Sequence, residues 1–262
     1  MRLTVLASGS GGNAMLVEAG GTRLLVDAGL PLVTLRRQLV RAKLTGNPTA
    51  IIITHSHGDH CRHAAELTEH FQVPLYVSEA TRRSVRLSGR RAPQVFGTKG
   101  PFSIGDLSVS AMVVPHDAPQ VSLRFEHQSG RAALATDLGE VPPGLLGHFA
   151  GCDAVLIESN HDSDMLASGP YPYHLRRRVA GDHGHLSNAQ THGFLRALDR
   201  ATRTVVLMHL SQTNNTPELA RDSAAHALRD HTATLLVASQ FGVTSVETGL
   251  PTAPAQQELF PR

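Results

Sequence analysis

Polar and apolar residues alternate over residues 2–7 and 13–18, and Thr22-Arg23-Leu24-Leu25-Val26-Asp27 continues the same period. A two-residue repeat of this kind predicts three half-buried strands. At Pro31 the period changes. Leu32, Leu35, Leu39 and Ala42 share one helical face, proline fits the first turn, and Thr45-Gly46-Asn47-Pro48 ends a helix running to about Lys43. Residues 49–54 form an apolar strand, followed by a helix from His60 to about Phe71, a strand at 74–77 and a short helix at 79–88. Residues 101–136 read as three or four consecutive strands and 154–158 as another, whereas 163–186, with Pro170 and Pro172, reads as irregular. Ser187 is a natural N-cap for the next helix. A strand over 204–209, a helix at about 217–229 and a strand at about 233–237 close a single domain. Residues 1–249 form that domain, and the proline- and alanine-rich segment 250–262 is expected to be a flexible tail.

Composition narrows the setting. With 41% hydrophobic residues in 262, the chain can build a full core without disulfides. Cys61 and Cys152 form no CxxC pair, which points to a reducing compartment and excludes a cysteine-rich zinc knuckle. The first strand passes at once into a glycine-rich turn, too early for a signal peptide, and no apolar run nears the ~18 residues of a membrane span. A cytoplasmic protein that makes no membrane contact is expected. The net charge of +2 does not announce a nucleic-acid binder, so the 16 histidines and the arginine clusters stand out.

The candidate chemistry sits at strand ends. Thr54-His55-Ser56-His57-Gly58-Asp59-His60 places three imidazoles and a carboxylate directly after Ala50-Ile51-Ile52-Ile53. Such groups side by side repel or go unsatisfied unless a borderline divalent cation joins them. Asp59 is also placed to serve as an N-cap. Further strands end at His116, Asp137 and His209, and strand ends in layered α/β folds meet along one edge, where active sites form. Ser8-Gly9-Ser10-Gly11-Gly12-Asn13 can turn N–H groups toward an anion or be an ordinary hairpin turn. Arg82, Arg86 and Arg90 lie on one helical face, with Arg83 and Arg91 beside them; they are a solvated face or a phosphate-contact surface.

The motif over residues 54–60, with the later His116, Asp137 and His209, resembles the metallo-β-lactamase superfamily in order and spacing from Leu3 to about Gly249. The resemblance implies an α/β fold, a four-layer αββα sandwich, with two divalent metal ions (Zn²⁺ or Mn²⁺). His55, His57 and His116 would bind the first ion, Asp59, His60 and His209 the second, and Asp137 would bridge them. Two such ions can hold a bridging hydroxide that attacks a phosphodiester, and Asp59 would share in that chemistry. Ser8-Gly9-Ser10-Gly11-Gly12-Asn13, Gly169-Pro170-Tyr171-Pro172, Gly184-His185-Leu186-Ser187-Asn188 and His209-Leu210-Ser211-Gln212-Thr213-Asn214-Asn215 look like the YycJ-type branch, regarded as DNA exonucleases.

By that resemblance DNA is the substrate, in repair or replication. Ser8, Ser10, Gly11, Asn13, Ser187, Asn188, Ser211, Asn214 and Asn215 are candidate substrate contacts, with Arg176, Arg177 and Arg178 extending a phosphate track. His185 would contact the scissile phosphate or protonate the leaving oxygen; its other reading is a partner of a metal ligand. Glyoxalase-like relatives use the same ligands on thioesters, which keeps a thioester or other small-molecule hydrolase open. A catalytically silent metal-bound regulator is opposed by the completeness of the ligand set. At the end of the chain, Gln256-Gln257-Glu258-Leu259-Phe260 resembles peptides that dock bacterial DNA enzymes on the replication sliding clamp, with Gln256, Leu259 and Phe260 as anchors.

Overall fold

The computed structural model describes residues 1–84 and 92–249. In chain order the strands are β1 (Arg2–Ala7), β2 (Ala14–Ala19), β3 (Thr22–Val26), β4 (Ala50–Ile53), β5 (Leu75–Ser78), β6 (Gln94–Phe96) and β7 (Phe102–Ile104). They continue as β8 (Leu107–Val114), β9 (Gln120–His127), β10 (Gly130–Ala135), β11 (Ala154–Glu158), β12 (Thr204–Met208), β13 (Thr234–Val237) and β14 (Thr244–Glu247). The helices are α1 (Leu32–Arg41), α2 (Gly58–Cys61), α3 (Ala64–Phe71), α4 (Glu79–Ser84) and α5 (Leu145–Phe149). They end with α6 (Ser163–Ser168), α7 (Tyr173–Val179), α8 (Asn188–Arg196) and α9 (Pro217–Ala227).

Among the described residues the strands form two seven-stranded sheets, ordered β14-β1-β2-β3-β4-β5-β6 and β13-β12-β11-β10-β9-β8-β7. One apolar cluster lies between the sheets, drawing Leu3, Val17, Leu24 and Ile52 from the first and Leu123, Phe125, Leu134 and Leu156 from the second. A second cluster packs the other face of the second sheet against α5, α8 and α9 through residues such as Phe149, Phe194 and Ala224. A third packs the first sheet against α1 and α3 through Leu35, Leu39 and Leu67. The result is the expected αββα sandwich, in one domain.

Each sheet has an antiparallel part and a parallel part. β3, β4, β5 and β6 run parallel, as do β10, β11, β12 and β13. The central parallel strands β4 and β11 are buried at every position, because helices cover one face and the opposite sheet the other. β8 instead alternates in burial along much of its length.

Four expectations need correction. The helix expected from His60 to Phe71 is broken into α2 and α3, and His57 rather than Asp59 stands at the N-cap of α2. The stretch 163–186 holds α6 and α7. β13 does not end the fold, since β14 pairs antiparallel with β1. In α4, Arg82 and Arg83 both turn to Glu79, at 2.8 and 3.0 Å; Arg86, Arg90 and Arg91 lie outside the described residues, as does the tail with Gln256, Leu259 and Phe260. Among the described residues no helix is long and apolar enough to cross a membrane.

Candidate metal centre

The parallel strands deliver their ends to one edge of the sandwich. β4 gives way to Thr54 and His55, and α2 then carries Asp59 and His60. β8 leads to His116, β10 to Asp137 and β12 to His209. One ligand atom from each of His55, His57 and His116 lies within 4.8 Å of the others. The same holds for Asp59, His60 and His209, and for His55, His60 and Asp137. The seven residues therefore form two adjoining groups that meet at Asp137. Its Oδ2 is 2.9 Å from His60 Nε2 and its Oδ1 3.2 Å from His209 Nδ1.

What orients the imidazoles is a ring of partners behind them. His60 Nδ1 lies 2.7 Å from Asp27 Oδ2. His55 Nδ1 lies 3.1 Å from the Thr54 hydroxyl, which in turn donates to Asp27 at 3.0 Å. His57 Nε2 is held by Asp117 at 3.1 Å, His116 Nδ1 by the Gly184 carbonyl at 3.1 Å, and His209 Nδ1 by Glu158 at 3.0 Å. In each case the remaining ring nitrogen is the one left for the centre. A histidine whose outer N–H is held by an acid or carbonyl keeps its inner lone pair for a metal. The side-chain atoms of His55 Nε2 and His209 Nε2 are buried and have no hydrogen-bond partner. Buried polar atoms are rarely left so, and a cation between the two groups would satisfy both. The donor set fits a divalent metal.

Backbone strain is concentrated at this edge. Asp27, Asp137 and His209 all have positive φ, at 63°, 56° and 53°, a conformation that costs a non-glycine residue about 1 kcal/mol or more and is retained where surroundings impose it. The electrostatics are equally tense. Burial opposes charge on His60, but Asp137 and Asp27 outweigh it and raise its pKa well above the ordinary value. Burial likewise opposes His209, yet Asp137, Asp59 and Glu158 raise it to about 10. Glu158 is pulled down to about 2 against its burial by His185 and His209. Protonated imidazoles thus balance the acids, a task a bound cation would take over.

The expected substrate contacts divide. Ser8 is buried and its Oγ accepts from the His209 N–H at 2.8 Å. Asn13 is buried too, its Oδ1 taking the Gly9 N–H at 2.8 Å and its Nδ2 reaching Asp59 Oδ2 at 3.3 Å. The N–H groups of Gly11 and Gly12 are taken by Gln240 and the Gly9 carbonyl. Ser10 remains exposed. Ser187 caps α8 in a capping box with Gln190. Asn188 and Asn215 bond to each other and to Ser159, while the Ser211 Oγ accepts the Asn214 N–H at 3.1 Å. These residues build the wall of the site. Asn214, fully buried with both amide atoms unpartnered, borders it. Arg176 and Arg177 stand on α7, and Arg178 ion-pairs with Asp117 at 2.6 Å. His185 Nδ1 is bound to Glu158 at 2.8 Å beside His209, and a fifth of its side chain is exposed.

Sequence reading left Asp27, Asp117 and Glu158 without roles. A signal was present for two of them, since Leu24-Leu25-Val26-Asp27 and Val155-Leu156-Ile157-Glu158 end apolar runs in an acid just as Ala133-Leu134-Ala135-Thr136-Asp137 does.

A two-sheet αββα sandwich with a histidine and aspartate cluster on its strand ends fits a metal-dependent hydrolase. The chain belongs to the β-lactamase superfamily: residues 22–210 match the model of the β-lactamase superfamily domain. It is 33% identical to a Bacillus anthracis protein named exodeoxyribonuclease YycJ, over 88% of this chain and 90% of that one. It is 34% identical to Streptococcus pneumoniae exodeoxyribonuclease WalJ, over 95% and 96%. In fold it is similar to the metallo-β-lactamase fold protein YhfI of Bacillus subtilis, with a TM-score of 0.71 at 17% identity over 94% of this chain and 99% of that one. Zn²⁺-bound PqqB of Methylobacterium extorquens gives a TM-score of 0.70 at 20% identity, over 93% and 99%.

Proposed function

We propose that this protein is a DNA exonuclease working with two divalent ions, Zn²⁺ or Mn²⁺. His55, His57 and His116 take one ion, Asp59, His60 and His209 the other, and Asp137 joins them. The observation that carries this reading is the pair of three-residue groups meeting at one aspartate, each imidazole backed by its own partner. Two relatives named exodeoxyribonucleases, alike over nearly the whole chain, support the choice of DNA. When bound, such a pair of ions supplies Lewis acidity and makes water a competent nucleophile at neutral pH. The chain's own residues position and shuttle protons. Asp27, Asp117 and Glu158 fix the rings, and Asn13 and Ser8 fix Asp59 and the His209 backbone. His185, with Nδ1 committed to Glu158, presents Nε2 to the leaving oxygen and delivers its proton there.

The test is to incubate the protein with Mn²⁺ or Zn²⁺ and end-labelled duplex DNA, and in parallel with lactoylglutathione. Stepwise release of nucleotides is expected. Thioester turnover without nuclease activity refutes the reading. The C-terminal segment adds a second element, a tether to the sliding clamp through Gln256, Leu259 and Phe260. A Leu259→Ala, Phe260→Ala double variant should fail to pull down the clamp, and undiminished capture refutes the tether.

A further inference from the structure

Beside the metal centre α6, α7 and the segment that follows β11 border an open cavity of about 400 Å³, within the ~300–1,000 Å³ of small-molecule sites. His161, Leu166, Ala167, Tyr173, Arg176 and Arg177 line it. Its walls are chiefly apolar. Tyr173 is 68% exposed, a large ring held at the surface without packing to explain it. The Arg177 guanidinium lies 5.9 Å over that ring. Arg176 bonds to the Ala167 carbonyl and so ties α7 to α6.

His161 is the informative residue. It is 2% exposed, and its Nδ1 is buried with no hydrogen-bond partner. Its backbone is pinned, the Asn188 N–H donating to its carbonyl at 2.8 Å. Burial lowers its pKa to about 4, so the ring is neutral and brings one donor and one acceptor. The cavity is also coupled to the metal centre at two points. His161 follows Glu158, which holds His209, by three residues. On α7 the neighbour of the two lining arginines, Arg178, reaches Asp117, which holds His57.

A flat ring to stack on, a cation over it, apolar walls and one neutral hydrogen-bonding edge fit a planar heteroaromatic group, and the adjoining arginines fit a phosphate attached to it. Sequence-tolerant contacts to single-stranded nucleic acid have this composition. Building on the exonuclease reading above, we propose that the cavity between α6 and α7 receives the nucleobase of the nucleotide next to the scissile phosphate, drawn out of the duplex stack onto Tyr173 and read at its edge by His161. Unstacking an end nucleotide costs little compared with an internal one, which would favour action at ends.

Ala167 is exposed on α6, so Ala167→Trp fills the cavity without touching the core; Tyr173→Ala removes the platform. Kinetics are measured on duplexes whose terminal nucleotides carry a base or are abasic. Wild type should show a KM about tenfold lower with the base present, the scale of one base–aromatic stack, with kcat changed little. Either variant should erase that difference at unchanged metal content. An abasic end handled as well as a normal one by wild type, or full discrimination kept by Ala167→Trp, overturns the proposal. A second arm separates it from the exonuclease reading: 2-aminopurine deoxynucleoside 5′-monophosphate is titrated into the metal-loaded protein and its fluorescence followed. Quenching by wild type and not by Ala167→Trp, with no duplex cut, refutes the exonuclease and keeps the cavity as a base site. Cutting without quenching or base discrimination does the reverse.

Discussion

Asp27 is the residue whose loss should reach both halves of the metal centre. Its side chain is 4% exposed and takes three contacts: the Thr54 N–H at 2.9 Å, the Thr54 hydroxyl at 3.0 Å and His60 Nδ1 at 2.7 Å. Through that hydroxyl it also orients His55. In Asp27→Asn the shape is kept, but one oxygen becomes an NH₂ group. If the amide faces His60, it forces the imidazole into the tautomer that turns an N–H toward the metal. If it faces Thr54, two N–H donors oppose each other. Either way a charge-assisted bond worth about 1.5–3 kcal/mol is lost. Losing a partner of this kind lowers metal affinity about 10–100-fold, or about 1.4–2.7 kcal/mol. The site of His60 should suffer that in full, and the site of His55, reached through a relay, about the lower end. Stability should fall as well, by about 3–10 °C in Tm for a chain of this size. Competition of the metal-loaded variant against a chelator, with metal content followed by atomic emission, reads both sites. If Asp27→Asn holds two equivalents as tightly as wild type, the orienting role assigned to Asp27 is wrong.

Asp59→Ala should act differently, emptying chiefly the site of His60 and His209 and leaving about one equivalent of metal, as the same measurement will show. Gly29→Ala should weaken both metal binding and folding, because a Cβ there would run into the Asp59 carbonyl and the Asn13 N–H; thermal melts with and without metal check this. The melting gap between metal-loaded and metal-free protein should widen from pH 6.5 to 9. Metal-free, His209 owes stability to a pKa raised to about 10, which is fully present below its ordinary 6.5 and fades as pH climbs toward 10; metal ligation removes that proton and the dependence with it. Arg178→Ala should cost less than about 1 kcal/mol in chemical denaturation, since its ion pair with Asp117 is largely exposed.

Most of the sandwich was legible because its parallel strands are wrapped on both sides, and such strands must be continuous apolar runs. The two strands that escaped are edges: β6 has three residues and β14 four, and β14 finds its partner β1 at the other end of the chain. Helix α7 was invisible for another reason. None of its residues is fully buried, so it has no apolar stripe, and its place depends on Arg176 reaching α6 and Arg178 reaching Asp117, far away in sequence. At the metal centre the seven candidate ligands could be named from strand ends and resemblance. Which acids stand behind histidines could not, because Asp27, Asp137 and Glu158 carry the same local signature. The asparagines after His209 read as substrate contacts by resemblance, and in the fold Asn215 is a buried brace between Ser159, Asn160 and Asn188.

The count of ions proposed for the centre follows from the acids as well as from the histidines. Asp27, Asp137 and Glu158 are essentially buried, and Asp59 is 22% exposed at its side chain. Asp117, the fifth acid of the cluster, already has Arg178. Four carboxylates in so dry a place need compensating charge, because an unpaired buried ion costs several kcal/mol. Protonated His60 and His209 supply part of it in the metal-free protein. Ligation removes those protons, and His185 stays paired with Glu158, so a single divalent ion would still leave one of the charges of Asp27, Asp59 and Asp137 uncovered, which a second ion covers. A loaded protein that held one ion and still kept His209 protonated would overturn that balance.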